Sequence, residues 1–536
     1  MFEDVKIRVS GIIRRHWPLI TAIGVLYITV AVLLLFSTKQ NQGHLVYTID
    51  DTYIHMAVAK NFVLQGVWGV TRYSFSSSTS SLLWPLLLSL VYVLLGISEL
   101  SPLIINVVLA TLFIWLTYIL LRREGLSPLL TFITGMAIIF FTSLPVMIFV
   151  GMEHILHALV TIGFVYLSAQ ILTHEKSTRL EFWLWLMLGA IVTASRYEGL
   201  FLILVVLALF IARKRYLYSF LLAIFAIAPL AIYGIISTLN GWYFLPNPVL
   251  LKSNMADLFY RFSKQMVEAY ILIPVSLALV LFIVQFSKQK TVWRASMVML
   301  IIFVATTILH MCFAGTGNFW RYESYLVALS MFVLAIAAHD YLHLKLTISF
   351  SRSLMPKYLA VALLICLIIL PLVDRGFWPL KLIPQATTNI YEQQYQMGLF
   401  LEEYYQGEAV AANDVGAINY LADIRCLDLW GLSSLEIARA KQNGYYNTDT
   451  IYHLAREKRV KIAIVYDHWF KGNEAIPAQW IRVGQWTISN NVVCAGDTVS
   501  FYAAEPEAED DLIKNLKNFS SRLPADVIES GKYTSE

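Results

Sequence analysis

The feature that most constrains this chain is the recurrence of apolar blocks about twenty residues long, with short basic clusters between them. A helical block of that length crosses the roughly 30 Å hydrocarbon core of a bilayer. The composition agrees, with 58% of the 536 residues hydrophobic and 14% charged, against roughly 25% charged in soluble domains. An ordinary cytosolic enzyme is excluded, and a polytopic α-helical membrane protein is expected. The 40 Lys+Arg and 36 Asp+Glu residues nearly balance. The basic ones are dispersed rather than gathered in one patch, so no nucleic-acid partner is expected.

The positive-inside rule assigns basic loops to the cytoplasm. The clusters are Arg122-Arg123, Lys176 to Arg179, Arg213-Lys214-Arg215, Lys288 to Lys290, and Lys345, Arg352 and Lys357. For all of them to share a side, one crossing must separate the first span, residues 18–37, from Arg122. Two apolar stretches lie there, so the shorter, Leu82 to Ile97, is read as re-entrant or interfacial, with Trp84-Pro85 at headgroup depth. About eleven crossings result, and the C-terminus is outside. Lys6, Arg8, Arg14 and Arg15 precede the first span, which reads as a retained signal anchor. The Ser76 to Ser81 run reads as a linker.

After Asp374 the pattern turns polar with periodic apolar residues. Three regions are expected: a transmembrane catalytic domain (1–375), an extracytoplasmic α/β domain (376–505) and a charged tail (506–536), mobile or a lone surface helix. Within the α/β domain a helix is expected over Ile390 to Tyr405. Strands are expected over Ala409 to Ala412, Lys461 to Tyr466, Trp480 to Trp486 and Val499 to Ala503. Cys312 and Cys366 lie in apolar blocks, and a bridge between Cys426 and Cys494 is open.

This threading gathers the unusual polar residues at the outer ends of the spans. They are Asp50-Asp51-Thr52-Tyr53, Gly151-Met152-Glu153-His154, Ser195-Arg196-Tyr197-Glu198, Pro246-Asn247-Pro248 with Lys252, and Asn318 to Glu323. A transporter places ionisable groups near the midplane instead. Adjacent carboxylates point in different directions, so one of Asp50 and Asp51 can face a hydroxyl as a general base while the other caps a helix or binds a cation. Arg196 offers a charged fork for phosphate, although a pair with Glu198 explains both residues as well. Lys252 and Arg321 are further phosphate candidates. His154 and His157 share a helix face and are expected to be packed or hydrogen-bonded.

The ordered segments IDDTYIHMAVAKNFVLQG, SSSTSSLLWPLLL, VGMEHILHAL, SRYEGLFL, FLPNPVLLK and GNFWRYESYLV resemble the GT-C superfamily of integral membrane glycosyltransferases. Within it the chain is most similar to the mycobacterial terminal arabinofuranosyltransferase type, including the run AVAANDVGAINYLADIRCLDLWGLSS at the start of the outer domain. The resemblance implies transfer of a pentose or hexose from a polyprenyl-phosphate donor to a glycan, lipid or protein acceptor, outside a bacterial cytoplasmic membrane. It makes Asp50 or Asp51 the catalytic carboxylate and Glu153 the second outer-loop acid. Arg196, Lys252 and Arg321 become donor-phosphate contacts, with Tyr197 where the family motif has proline. Tyr53, His55, Glu198, Asn247, Trp320 and Glu323 become candidate substrate contacts. A divalent cation is left open, as are inversion and retention. The alternatives are a polymerase or ligase of polyprenyl-linked glycans and a flippase for lipid-linked sugars.

Overall fold

Long apolar runs without interior breakers form helices whose length sets what they can cross. In the computed structural model, which describes residues 2–174, 177–252, 268–343 and 355–534, eight helices are long and apolar enough to span a membrane. They are Arg14–Gln40, Ser101–Arg123, Pro128–Val150, His154–Thr173, Tyr216–Leu239, Ala269–Gln289, Ala295–Phe313 and Ser324–Leu342. The first belongs to helix α1 (Phe2–Gln40), and the third is α5 (Pro128–Phe141) followed by α6 (Leu144–Val150). Leu83–Leu95 and Gly199–Ala212 are apolar but shorter. At about 1.5 Å per residue, thirteen residues cover only about 20 Å, so Leu83–Leu95 falls short of a crossing. The helix Arg179–Ser195 meets Gly199–Ala212 at Arg196. The expected crossing at 358–374 lies inside one long helix, Met355–Ile390.

Helix α7 (His154–Thr173) is the buried centre. It packs against α4 (Ser101–Arg123), α8 (Arg179–Ser195) and the helices Ala295–Phe313 and Ser324–His343. Close approach in a membrane uses small residues: a Cβ on Gly189 of α8 would lie 2.6 Å from Leu222 of α10 (Tyr216–Leu239). Outward faces are apolar, with Leu35, Leu94 and Leu239 among the exposed residues, as a lipid-facing surface requires.

The basic helix ends gather at one end of the bundle. Arg215 donates to the carbonyls of Ile171 and His174, Arg213 lies over Trp293 and Lys288 over Tyr341. The opposite end carries the α/β domain. Lys176, Lys345 and Arg352 lie outside the described residues.

That domain is a six-stranded sheet in the order β2-β1-β3-β5-β4-β6. Its strands are β1 (Ala409–Ala412), β2 (Arg425–Asp428), β3 (Ile462–Val465), β4 (Ile481–Thr487), β5 (Thr498–Ala503) and β6 (Ile528–Gly531). β1 pairs in parallel with β2 and β3, and the other pairings are antiparallel. Strands buried on both faces read as continuous apolar runs, as AVAA and IAIV do. Val410 and Ala412 face Phe400, Trp486 and Phe519, while Ala409 and Ala411 face Ile437 and Ile451. Residues of the expected tail form a helix, Glu509–Phe519, with Leu512, Leu516 and Phe519 buried, and then β6. The helix Met355–Ile390 runs unbroken through 375 and 376 and continues as a π-turn, Tyr391–Tyr395.

The carboxyl ends of β1 and β2 meet the membrane unit, and that of β3 lies beside them. β1 ends in Asn413 to Gly416 beside Asp50, and Gly431, after β2, receives Asn247. Tyr466, after β3, lies 3.0 Å from Asp414. Open α/β sheets bind ligands at this edge.

Two local expectations are corrected. The Ser76 to Ser81 run is no linker: Ser76, Ser77, Ser78, Thr79 and Ser81 are buried, with Ser77 Oγ 2.9 Å from the Tyr233 hydroxyl. Trp84 is also wholly buried, because the helix it opens packs inward on α2 (Asp51–Gln65). Cys312, Cys426 and Cys494 are free thiols, and the Cys366 side chain lies outside the described residues.

Candidate active site

Asp50 starts α2 with its backbone: its carbonyl accepts from the Tyr53 amide at 2.9 Å. Its side chain caps a different helix. Oδ2 accepts from the Gly416 amide at 2.7 Å and Oδ1 from the Ala417 amide at 2.8 Å, so both oxygens serve the N-terminus of Ala417–Leu421. Position 416 admits no side chain, since a Cβ would fall 2.1 Å from the Asp50 carbonyl oxygen. Burial first, then the Asp414 carboxylate, raises the Asp50 carboxyl, and the two amides oppose that rise.

Asp51 points elsewhere. Its Oδ2 takes a 2.6 Å bond from Arg321 Nη2, and its side chain is 42% exposed where that of Arg321 is 3%. Arg321 also points Nη1 at Met152 Sδ, 2.9 Å away. Beside this pair lies a closed network: Arg196 Nη1 donates to Glu153 Oε1 at 2.6 Å and Nη2 to Glu198 Oε1 at 2.7 Å. Its Nη1 lies against the His154 ring, 3.4 Å from each ring nitrogen. The Tyr322 ring serves both arginines, 5.5 Å from the Arg196 guanidinium and 5.1 Å from that of Arg321. His55 Nε2 is 3.9 Å from Glu153 Oε2. Burial lowers the His55 imidazole, with Glu153 opposing. Glu153 Oε2, His55 Nδ1 and Arg321 Nε are buried without a hydrogen-bond partner among the described residues. Native structures seldom leave such groups unmatched, so each of these three atoms has hydrogen-bonding capacity beyond its protein contacts.

The structure thus brings together Asp51, His55, Glu153, Arg196, Glu198 and Arg321 from four separate segments. The other expected site residues have different surroundings. Tyr53 is wholly buried, with its ring 6.0 Å from Tyr420 and 6.4 Å from Tyr395. Asn247 donates through Nδ2 to the Gly431 carbonyl at 2.8 Å, joining membrane unit to α/β domain. Glu323 forms a buried pair with Arg375 at 2.9 Å and accepts the Gly317 amide at 2.9 Å. Trp320 presents its carbonyl to Arg375 at 2.9 Å. Lys252 ends α11 (Asn247–Lys252), and its side chain lies outside the described residues. His157 bonds to Ser195 at 2.8 Å and His310 to Tyr325 at 3.1 Å.

Three participants were not anticipated. Tyr322 stands inside the WRYE run and was passed over for its charged neighbours. Arg375 follows the last apolar block, where a lone arginine next to an acid is a usable signal. Asp414 accepts from Gln394 Nε2 at 2.9 Å, and only the fold reveals that it lies near Asp50. Among the described residues no three His, Cys, Asp or Glu side chains gather closely enough to hold a metal ion.

Residues 388–502 match a family described as a domain of unknown function (DUF8728). No curated protein matches the chain in sequence. Among solved structures, ArnT from Cupriavidus metallidurans bound to undecaprenyl phosphate is similar over 90% of this chain and 99% of its own, with TM-score 0.52 and 12% identity. The two share a fold. The apo form of ArnT gives TM-score 0.50 and 12% identity over 91% of this chain and 99% of its own. The archaeal oligosaccharyltransferase AglB from Archaeoglobus fulgidus, in complex with an inhibitory peptide and a dolichol-phosphate, gives 0.48 and 13% over 97% and 77%.

Proposed function

We propose that this chain is a multi-pass membrane glycosyltransferase. It transfers a sugar, a pentose such as arabinofuranose or a hexose, from a polyprenyl-phosphate donor to an envelope glycan, lipid or protein. The site faces outward from a bacterial cytoplasmic membrane. The observation that carries this reading is the Asp51–Arg321 pair, 2.6 Å apart at the open edge of the buried Glu153–Arg196–Glu198 network. A carboxylate within reach of solvent beside two buried guanidiniums is what a displacement at a sugar phosphate requires. The similarity to ArnT, a protein crystallised with undecaprenyl phosphate, supports the donor class.

In this mechanism the donor phosphate engages Arg321, whose Nε has no partner among the described residues, and draws it from Asp51. Losing its cation makes Asp51 more basic. Its carboxylate takes the proton of the acceptor hydroxyl while that oxygen attacks the anomeric carbon, and the bond from carbon to phosphate oxygen breaks. The negative charge that develops on the departing phosphate rests on Arg321 and, behind Tyr322, on Arg196. Asp50 is assigned no part in proton transfer, since both its oxygens accept backbone amides. Glu153, closed off beneath Arg196, orients that guanidinium. One reachable carboxylate fits a single displacement with inversion.

The test is transfer of radiolabelled sugar from a panel of polyprenyl-phosphate pentoses and hexoses in membranes holding wild type, Asp51→Asn or Arg321→Lys at equal abundance. Asp51→Asn is expected to lower transfer by about 10²- to 10⁴-fold, the usual worth of a positioned base. Arg321→Lys keeps the charge but loses the fork and is expected to raise the donor KM. Full activity of Asp51→Asn ends the assignment of the base.

A further inference from the structure

Between α2, α3 (Leu83–Leu95) and α10 lies a cavity of 820 Å³ with mostly apolar walls, including Trp68, Leu86, Ile232 and Tyr233. Leu86 is 45% and Ile232 60% exposed, so the side of this groove is open to hydrocarbon. It adjoins a second cavity of 380 Å³, between residues 71–76 and the α/β domain, and the two share Ser74, Phe75 and Asn240. The second is polar, lined by Thr71, Ser433 and Ser434 among others. Trp242 stands edge-on to Phe75 at 6.3 Å on its wall.

An apolar groove running into a hydroxyl-lined chamber fits a ligand with a hydrocarbon tail and a polar head. The charges decide which head. Among the described residues lining either cavity, Lys458 is the one cation, and Glu436 holds it at 2.7 Å. Arg196 and Arg321 line neither. Among the described residues, a phosphate head would meet no positive charge here except Lys458, which Glu436 already holds. An uncharged saccharide would find hydroxyl and amide partners and an aromatic wall for its C–H faces.

We infer that the joined cavities bind a neutral glycolipid, its chain in the groove and its uncharged sugar head in the chamber. That this lipid is the acceptor rests on the glycosyl-transfer reading, in which its reacting hydroxyl reaches beyond the chamber to Asp51, a residue that lines neither cavity; that it binds here does not. Donor phosphate and glycolipid head are thereby sorted by charge, one to the arginine cluster and one to the chamber beneath β2.

The experiment is photolabelling of the full chain in lipid nanodiscs with two probes of matched chain length. One is a diazirine-bearing dialkyl glucoside and the other a diazirine-bearing polyprenyl phosphate, and labelled peptides are mapped by mass spectrometry. The neutral probe is expected to label residues 66–75 and 229–240 at least about tenfold more than the anionic probe, a gap of about 1.4 kcal/mol. Ser74→Trp, which fills the junction, is expected to remove that labelling. Phe75→Ala, which leaves the groove open, is expected to weaken retention of the sugar head while keeping retention of the tail. Equal or stronger labelling of these segments by the polyprenyl phosphate overturns the inference, as does neutral-probe labelling that survives Ser74→Trp. Groove labelling as expected, in a protein that transfers no sugar from any donor, ends the transferase reading and leaves the glycolipid site standing. Sugar transfer without groove labelling ends this inference alone.

Discussion

Asp50 and Asp51 are neighbours in sequence and strangers in role, because the start of α2 turns one toward the Gly416 and Ala417 amides and the other toward Arg321. Asp50→Asn is therefore expected to act on docking rather than chemistry. The amide can accept through one atom only, leaving a buried N–H opposite an N–H at a cost of about 1–3 kcal/mol. Hydrogen exchange at 413–421 should quicken markedly, while transfer falls much less than in Asp51→Asn. Arg196 gives a second contrast. Arg196→Met leaves Glu153 and Glu198 without the cation they share, which costs about 3–5 kcal/mol and should appear as a lowered Tm. Adding Glu153→Gln to Arg196→Met should recover part of that loss, with Glu198 accounting for the remainder, although neither protein should transfer sugar. The sequence drew attention to these residues by their charge at span ends. It could not tell Asp50 from Asp51, since the partner that separates them lies 366 residues away.

Among the elements, the turn before Arg321 bears the most strain. Gly317, Asn318, Phe319 and Trp320 all have positive φ, at 80°, 46°, 60° and 58°. For the three with side chains this left-handed region costs roughly 1–2 kcal/mol each. Asn318 Nδ2 to the Tyr322 hydroxyl (2.7 Å), Gly317 N to Glu323 and Arg375 to the Trp320 carbonyl hold the turn closed. Glu323→Gln should release it, with a larger loss in kcat than in donor KM as Arg321 wanders, read by steady-state transfer assays. Strands were legible unevenly at this scale. β1, β3 and β5 show as apolar runs, and β4 was displaced by one residue. β2 (RCLD) and β6 (IESG) were missed because four polar-leaning residues at a sheet edge carry no period. The apolar spans were legible for a stronger reason, since a run of about twenty apolar residues carries its own signal.

The whole molecule joins a lipid-facing bundle to a mixed sheet through one long helix and its π-turn. Glu392 in that turn is buried, and its Oε2 has no partner among the described residues. Burial, and then Asp526, raise its carboxyl to about 7. A carboxyl whose folded value exceeds its unfolded one contributes stability below the unfolded value, about 4.5, and loses it as the pH rises through about 7. The Tm of the full chain should therefore decline between those limits, and Glu392→Gln should flatten that part of the profile. The docking of the sheet also orders events during biosynthesis. The carboxylate of Asp50 emerges early, but the amides that it serves are made 366 residues later, about 20–70 s afterwards at ordinary elongation rates of about 5–20 residues per second. Until then the Asp50 carboxylate has no helix N-terminus to cap. A chain that stalls before Gly416 is made therefore carries every residue of the arginine cluster while Asp50 still has no helix to cap.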